Sequence, residues 1–301
     1  MNSIFIKRYK CPVCDSDNSS YLYTIKCDDD RFKRFLEIEK MYGEDFWEDY
    51  NKYELYNEEF VISKCEECGF IYQNNILNEF GMSLLYGIWI NEDKLISHRK
   101  DNNKNPEIYK YYKNIMTVVK AVLKRNDIKI IDYGAGTAEV YNAVHQLGFD
   151  ITALEYSEKR VSWLQENGYK VVLNQEIKNN KYDLVIMNQV LEHIPNPKEV
   201  LMNVYEILSD NGLLIISTPD CRNVENLIKK GNLDIRLFEY LSPHQHINAF
   251  TNKSLKGICD IMGFKSININ KLYNLRDVSF VFKLKEIYKY FFKSSLIVQK
   301  K

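Results

Sequence analysis

The chain has 301 residues, 45% of them hydrophobic, and its lysines and arginines balance its aspartates and glutamates at 41 each. That length suits one large domain beside a smaller one, with enough apolar material for a real core. Net neutrality disfavours a polyanionic partner, because nucleic-acid binding leans on phosphate neutralisation, and no apolar run approaches the ~18 residues that cross a bilayer.

Met1 to Lys10 lack an apolar h-region and a small-residue cleavage site, so the expected location is the cytoplasm. Residues 1–80 hold two Cys-x-x-Cys pairs, Cys11/Cys14 and Cys65/Cys68. In a reducing compartment such pairs mean metal or redox chemistry more often than disulfides. Each turn puts two thiolates on one side of a tight loop, and two such turns complete a tetrahedral S₄ site suited to zinc. A redox pair and buried apolar cysteines are the competing readings. Cys27, Cys221 and Cys259 stand alone and read as core or incidental. Between the pairs, Phe32 to Tyr56 is rich in acids and aromatics at roughly helical spacing, which predicts one or two amphipathic helices.

Residues 81–105 read as a linker, polar from His98 to Asn105, and residues 106–301 as the main domain. Pro106 opens a helix in which Ile108, Tyr111, Tyr112, Ile115, Met116, Val119, Val122 and Leu123 recur at three- and four-residue steps. Short apolar runs then alternate with helical stretches: Ile128–Ile131, Ile151–Leu154, Val171–Leu173, Leu184–Met187 and Leu213–Ser217. Helices are expected to start near Thr137, Ser157 and Pro197, the last capped by Asn196. This alternation predicts a mostly parallel, doubly wound α/β sheet covered on both faces. Further strands are expected at Phe264–Ile269 and Val278–Phe282. From Lys283 the tail is basic, and Leu284, Ile287, Tyr288, Phe291 and Phe292 share one helical face. A helix docked on its own domain or on a second copy is preferred there over a membrane-surface helix.

Ile130–Ala138 reads as a strand, a glycine turn and a helix start, where Gly134 and Gly136 let the backbone turn and admit a ligand. Glu155 ends the next strand, at the place where an acid can hold both ribose hydroxyls of an adenosine cofactor. A dinucleotide loop needs a third glycine and a helix N-terminus free for pyrophosphate. Here Ala138 comes one residue early and Glu139 would repel a phosphate. A cationic sulfonium tolerates such acids, so S-adenosylmethionine is favoured over NAD.

Asp132-x-Gly134-x-Gly136-x-Ala138, Glu155 and the run Asn188-Gln189-Val190-Leu191-Glu192-His193-Ile194 together resemble the class I S-adenosylmethionine-dependent methyltransferases. The likeness spans roughly residues 107 to 283 and implies a Rossmann-like, seven-stranded, mostly parallel sheet. It implies that Asp132, Tyr133, Gly134 and Gly136 surround the methionine part of the cofactor, that Glu155 holds the ribose and that Tyr156 lies against the adenine. Asn174 or Gln175 would meet the adenine edge, and Asn188 with Gln189 would floor the sulfonium. A four-cysteine segment before such a domain resembles bacterial methyltransferases of surface-glycan sugars. The implied acceptor is a hydroxyl, less readily an amine, of a small-molecule or carrier-linked sugar.

His244 and His246 lie in Ser242-Pro243-His244-Gln245-His246-Ile247-Asn248-Ala249-Phe250-Thr251, which resembles the family's EH-x-N-x-F-T segment with Gln245 in place of the acid. Proton removal from a hydroxyl calls for a base, and His supplies one near neutrality. His244 and His246 are therefore the leading candidates, ahead of His193. Binding of a metal by the His-x-His pair lacks an acid nearby in sequence. Three rival readings remain: an RNA methyltransferase with a zinc head, an NAD-dependent sugar oxidoreductase or epimerase, and a binding protein that keeps the fold without catalysis. Against the second, the only Tyr-x-x-x-Lys pair in the sequence, Tyr109 and Lys113, lies upstream of the glycine loop.

Overall fold

The computed structural model describes residues 3–38, 42–90, 92, 96–97, 106–231, 233–267 and 295–300. By chain contacts it divides into two compact units. The first gathers Met1–Lys94, Leu191–Lys198 and Pro219–Ser254; the second gathers Leu95–Val190, Glu199–Thr218 and Leu255–Lys301. Two stretches that the sequence assigns to the main domain, 191–198 and 219–254, thus belong with the cysteine-bearing segment.

The strands in chain order are β1 (Phe5–Lys7), β2 (Ser19–Lys26), β3 (Glu59–Cys65), β4 (Ile71–Gln73), β5 (Asn75–Leu77), β6 (Ile130–Tyr133), β7 (Ile151–Leu154), β8 (Tyr182–Asn188), β9 (Leu208–Ser217), β10 (Asn248–Ala249), β11 (Phe264–Ser266) and β12 (Ser295–Lys300). In the first unit β10, β4, β3 and β2 make an antiparallel sheet, and β1 pairs with β5. The sequence reading anticipated helices here and the structure supplies two, Asp30–Leu36 and Glu44–Lys52. They bury Phe32, Phe35, Phe46 and Tyr50 in one apolar cluster with Phe60, Trp89, Phe238 and Leu241. The Trp89 indole N–H donates to Asp49 at 2.9 Å, so the largest buried ring keeps its polar atom satisfied.

One buried cation ties this unit together. Arg8 is 9% exposed. Its guanidinium donates to the carbonyls of Gln73 (2.5 and 2.9 Å) and Ile247 (2.8 Å), to Asn248 Oδ1 (2.8 Å) and, more distantly, to the Pro195 carbonyl (3.5 Å). Burial lowers its pKa to about 9, yet it remains charged at neutral pH. Asn248 in turn donates to the carbonyls of Leu191 (2.9 Å) and Ile194 (2.7 Å).

In the second unit the sheet order is β11-β12-β9-β8-β6-β7. β6 through β9 are parallel neighbours, while β12 runs antiparallel to β9 and to β11. β6 and β7 are buried at every position, as continuous apolar runs require of strands covered on both faces. The described sheet has six strands rather than the expected seven. The run Val171–Leu173 contributes only an isolated parallel bridge from Val171 to Ala153, since the chain turns away at Asn174. Helices Pro106–Leu123 and Pro197–Ile207 start where expected, and Ser157 caps Glu158–Glu166 by accepting from the Arg160 N–H. The helix expected near Thr137 starts at Glu139, because Ala138 takes a left-handed φ of 63° that no helix continues. β11 ends at Ser266, short of Ile269. The end of the tail, 295–300, is a strand and not a continuation of the expected basic helix. Of the expected linker 81–105, the part up to Trp89 is helical and buries Leu84, Leu85 and Trp89 in the first unit's core; residues 98–105, the expected strand 278–282 and the helical face 284–292 lie outside the described residues.

Replacing Arg8 by Met should strand several buried carbonyls at once. A loss of roughly 3–5 kcal/mol is expected for removing one side of a buried charged network. A urea melt followed by tryptophan fluorescence checks it; a change under ~1 kcal/mol would refute this role.

Candidate functional site

The glycine turn follows β6. The N–H groups of Gly134 and Ala135 both donate to the Leu154 carbonyl at 2.9 Å, which folds the loop across the end of β7. Gly134 has φ of 82°, and a Cβ there would lie 2.8 Å from Val190 Cγ2. Only glycine meets both demands. Gly136 also has positive φ, but the space where its Cβ would stand is open. The loop is thus closed against Val190 at its first glycine and open at its second.

The acids sit beneath and beside this loop. Glu155, 8% exposed, accepts from the Gly136 N–H at 2.7 Å and from the Tyr156 and Ser157 N–H groups at 2.8 and 3.1 Å. Arg160 approaches the same carboxylate at 3.7 Å. Asp132, 1% exposed, accepts from the Tyr141 N–H at 3.1 Å and so fastens the helix Glu139–His145 to the end of β6. Burial raises the Asp132 carboxyl to about 7; the Tyr141 N–H opposes the shift and the charge of Glu155 adds to it. The Tyr133 and Tyr156 hydroxyls meet at 2.7 Å, and half of Tyr156 is exposed beside the loop. The structure therefore brings Asp132, Tyr133, Gly134, Gly136, Glu155 and Tyr156 together.

Asn188 ends β8 with its Oδ1 accepting from Ser217 Oγ at 2.7 Å. Gln189 follows at φ 57°, its N–H on the Ser217 carbonyl at 2.9 Å. Its Nε2 is buried and has no partner among the described residues. Asn174 and Gln175 lie exposed in the turn after the Val171 bridge, and no hydrogen bond joins them to the loop among the described residues.

In the first unit the four cysteines Cys11, Cys14, Cys65 and Cys68 converge, with all four sulfurs within 4.8 Å of one another and no disulfide among them. Cys11 and Cys68 sulfurs are 3.6 Å apart, and Cys14 and Cys65 sulfurs 3.5 Å apart. Sulfurs at 2.3 Å from a tetrahedral zinc stand about 3.8 Å apart, so the set fits that ion. The two knuckles share a local geometry. The residue after the second cysteine, Asp15 or Gly69, has positive φ and donates back to the first cysteine's carbonyl at 3.0 or 2.9 Å.

The three histidines have different surroundings. His244, 6% exposed and at φ 66°, sits among the rings of Phe5, Tyr42, Phe46 and Trp89 at centroid distances of 5.6–6.5 Å. Burial lowers its pKa to about 4. His246 and His193 face each other instead, with ring centroids 4.7 Å apart. Nδ1 of His193 lies 3.1 Å from the Gln245 carbonyl, and Nδ1 of His246 lies 2.9 Å from the Glu239 carbonyl. His244 and His246 thus do not converge. The residue that does join the His193–His246 pair is Glu192, fully buried, one of whose carboxylate oxygens lies within 4.8 Å of a ring nitrogen of each histidine. Sequence reasoning quoted Glu192 only as part of a motif and missed Arg8 and Asn248. A basic residue three before a cysteine knuckle carries no signal of burial.

These features meet in the comparisons with known proteins. A family model described as "Methyltransferase domain" matches residues 107–269. The chain belongs to this methyltransferase family. Its methyltransferase domain resembles the ubiquinone biosynthesis O-methyltransferase of Rickettsia canadensis, 31% identical over 128 residues, 38% of this chain and 52% of that protein. The like-named protein of Rickettsia prowazekii is 33% identical over 105 residues, 31% of this chain and 42% of the relative. This chain thus spans about half the length, or less, of the curated relatives it matches. Among solved structures, the plantazolicin methyltransferase BamL, crystallised with a triazolic desmethylPZN analog and SAH, aligns with a TM-score of 0.51 at 13% identity, covering 73% of this chain and 94% of that one. That likeness shows the shared fold. The family match removes the ground for an NAD-dependent oxidoreductase.

Two outcomes follow from the loop. Gly134→Ala forces a left-handed alanine against Val190, and the variant should lose about 1–3 kcal/mol in a denaturant melt; wild-type stability would refute the closed side of the cradle. Asp132 has a raised folded-state pKa, so its stabilising contribution is full below its ordinary value of 3.8 and is lost as pH rises through about 7. Asp132→Asn should therefore raise the melting temperature at pH 8 and leave it nearly unchanged at pH 4. Equal shifts at both pH values would contradict a buried, titrating carboxyl.

Proposed function

We propose that this protein transfers a methyl group from S-adenosylmethionine to a hydroxyl oxygen, with a sugar or sugar-linked group as acceptor. The observation that carries the cofactor reading is the glycine turn, closed at Gly134 and open at Gly136, with Glu155 bonded to its second glycine. The buried Nε2 of Gln189 at the end of β8, without a partner among the described residues, supplies a donor still in want of an acceptor. Asp132 and Glu155 at the loop, with Glu139 in the helix that follows, suit a cationic ligand and oppose a pyrophosphate. Gly134, Gly136 and the Tyr133 backbone would hold the methionine portion, Glu155 the ribose, Tyr156 the adenine face, Asn174 or Gln175 the adenine edge, and Asn188 with Gln189 the sulfonium side. When bound, S-adenosylmethionine supplies an electrophilic methyl carbon. The chain's own contribution is chiefly to position the acceptor oxygen in line with it.

Oxygen as the accepting atom is supported by the relatives' description as O-methyltransferases. The sugar class rests on the resemblance carried by the four-cysteine segment. A phenolic hydroxyl of a quinone precursor is the second reading, favoured by the relatives' role in ubiquinone biosynthesis. Loss of the hydroxyl proton falls to His193 or His246, which face each other, and not to His244, which is enclosed among aromatic rings. The cysteine cluster is proposed as a structural zinc site, because four thiolates leave no open position for a substrate.

Calorimetry with S-adenosylhomocysteine and with NAD tests the cofactor: the first should bind, and Glu155→Ala should weaken it at least ten-fold by removing the ribose acceptor. Binding of NAD alone would end the reading. Release of S-adenosylhomocysteine on adding nucleotide-sugars, but not simple catechols, decides between the two acceptors. For the cysteine cluster, metal analysis should find about one thiol-bound zinc per chain. Cys65→Ser should release it while leaving S-adenosylhomocysteine binding nearly intact. A folded protein that never contains zinc would contradict the assignment.

A further inference from the structure

We propose that Tyr133 is a positioning residue for the cofactor that acts through Tyr156, its buried hydroxyl holding in place the ring that meets the adenine. The inference rests on the reading that Glu155 takes the ribose and Tyr156 the adenine.

Tyr133 closes β6 and is 2% exposed, whereas Tyr156 is 51% exposed. In the sheet register Tyr133 pairs with Leu154, the last residue of β7, so Tyr156 follows two positions beyond that partner. The two hydroxyls meet at 2.7 Å, the usual O–H···O distance. The ring centroids stand 6.2 Å apart with a tilt of 52°. Tyr133 therefore grips Tyr156 at its hydroxyl and does not stack on the ring face.

The hydroxyl pair has a direction. Burial raises both phenols. Their contact adds to the rise at Tyr133 and opposes it at Tyr156, as it must when Tyr133 donates and Tyr156 accepts. Among the described residues this is the one hydrogen bond of the Tyr133 hydroxyl. A valine or leucine would close β6 with no polar atom to satisfy. The buried hydroxyl carries a desolvation cost that its bond to Tyr156 offsets.

Glu155 anchors the other end of Tyr156. Its Oε1 accepts from the Tyr156 and Ser157 N–H groups at 2.8 and 3.1 Å. Backbone and hydroxyl of Tyr156 are thus both held, and the ring between them is set before a ligand arrives. A half-exposed tyrosine without such a tether samples several rotamers and must be ordered on binding. A ring already fixed spares the ligand that cost. Tyr133 thereby strengthens the adenosine half of binding through Tyr156.

The test is calorimetry on the full-length protein with S-adenosylhomocysteine and with 5′-methylthioadenosine, which keeps the adenosine and lacks the amino-acid end. Tyr133→Phe should weaken both ligands by the same factor, roughly three- to ten-fold, the size of one net hydrogen bond. Tyr156→Phe breaks the same bond from the half-exposed side and should cost the same; it carries the test if Tyr133→Phe fails to fold. The double variant should bind no more weakly than the weaker single one, because both changes remove one interaction. In the ligand-free protein, ring-carbon NMR relaxation of Tyr156 should show faster motion in Tyr133→Phe. Wild-type affinity in either folded single variant, losses that multiply in the double variant, or unchanged Tyr156 motion would overturn the proposal. So would a loss confined to S-adenosylhomocysteine, which would mean that the glycine loop had loosened and not Tyr156. A wild type that binds neither ligand would bring down the cofactor reading itself, a different result from one that binds both and ignores Tyr133→Phe.

Discussion

The buried guanidinium of Arg8 is the constraint on which the first unit depends. A charge taken out of water is tolerated only when its donors are fully used. Arg8 meets that condition by spending its N–H groups on carbonyls from segments far apart in sequence: Gln73 at the end of β4, Ile247 before β10, and Pro195 after the Leu191–His193 turn. Asn248 extends the clamp, accepting from Arg8 and donating to Leu191 and Ile194. Through these two side chains the residue that follows β1 fixes the backbone around Glu192, His193 and His246. The fold brings 191–198 and 219–254 to the cysteine-bearing segment for this reason as much as for apolar burial.

The second unit is organised by backbone strain instead of buried charge. Gly134, Gly136, Ala138 and, on the next strand end, Gln189 all adopt positive φ. Ala138 accepts the roughly 1–2 kcal/mol that a left-handed L-residue costs. The expense is local and the return is a loop that turns twice within a few residues and leaves open space beside Gly136. Asp132 and Glu155 stabilise this geometry by accepting loop and helix N–H groups. Their carboxylates therefore position the backbone whether or not a ligand is present.

The sequence was legible where one signal determined one structure. β6, β7 and β8 announced themselves as continuous apolar runs, the helix Pro106–Leu123 as a 3.6-residue repeat, and the cofactor loop as glycines followed by an acid one strand later. The Cys-x-x-Cys pairs foretold a convergence that the structure contains. It was not legible where distant segments share a structure. β2 and β3, which frame the knuckles, were hidden by alternating polar positions. Val171–Leu173 had the composition of a strand, but β7 offered it only one bridge. The His-x-His pair suggested two histidines acting together, yet alternation along an extended segment sends neighbours i and i+2 wherever the local turn directs them. At φ 66°, His244 turns into the aromatic cluster and leaves His246 to meet His193.

Arg8 and Glu192 present the same physical problem with opposite outcomes. Both are buried ionisable side chains in one unit, and the stretches 191–195 and 247–248 that bond to Arg8 also carry or bond to Glu192. For Arg8 the carbonyls of Gln73, Pro195 and Ile247 and the amide oxygen of Asn248 accept. For Glu192 burial raises the carboxyl to about 8, opposed by its own backbone N–H, and Ile247 donates to its backbone carbonyl. A protein core that satisfies a guanidinium so fully has the means to satisfy a carboxylate, by a single serine or a rotated amide. The clamp instead holds two imidazoles, each fixed by a carbonyl at Nδ1, beside the unsatisfied oxygens. Burial therefore leaves Arg8 charged at neutral pH and holds the Glu192 carboxyl largely protonated there.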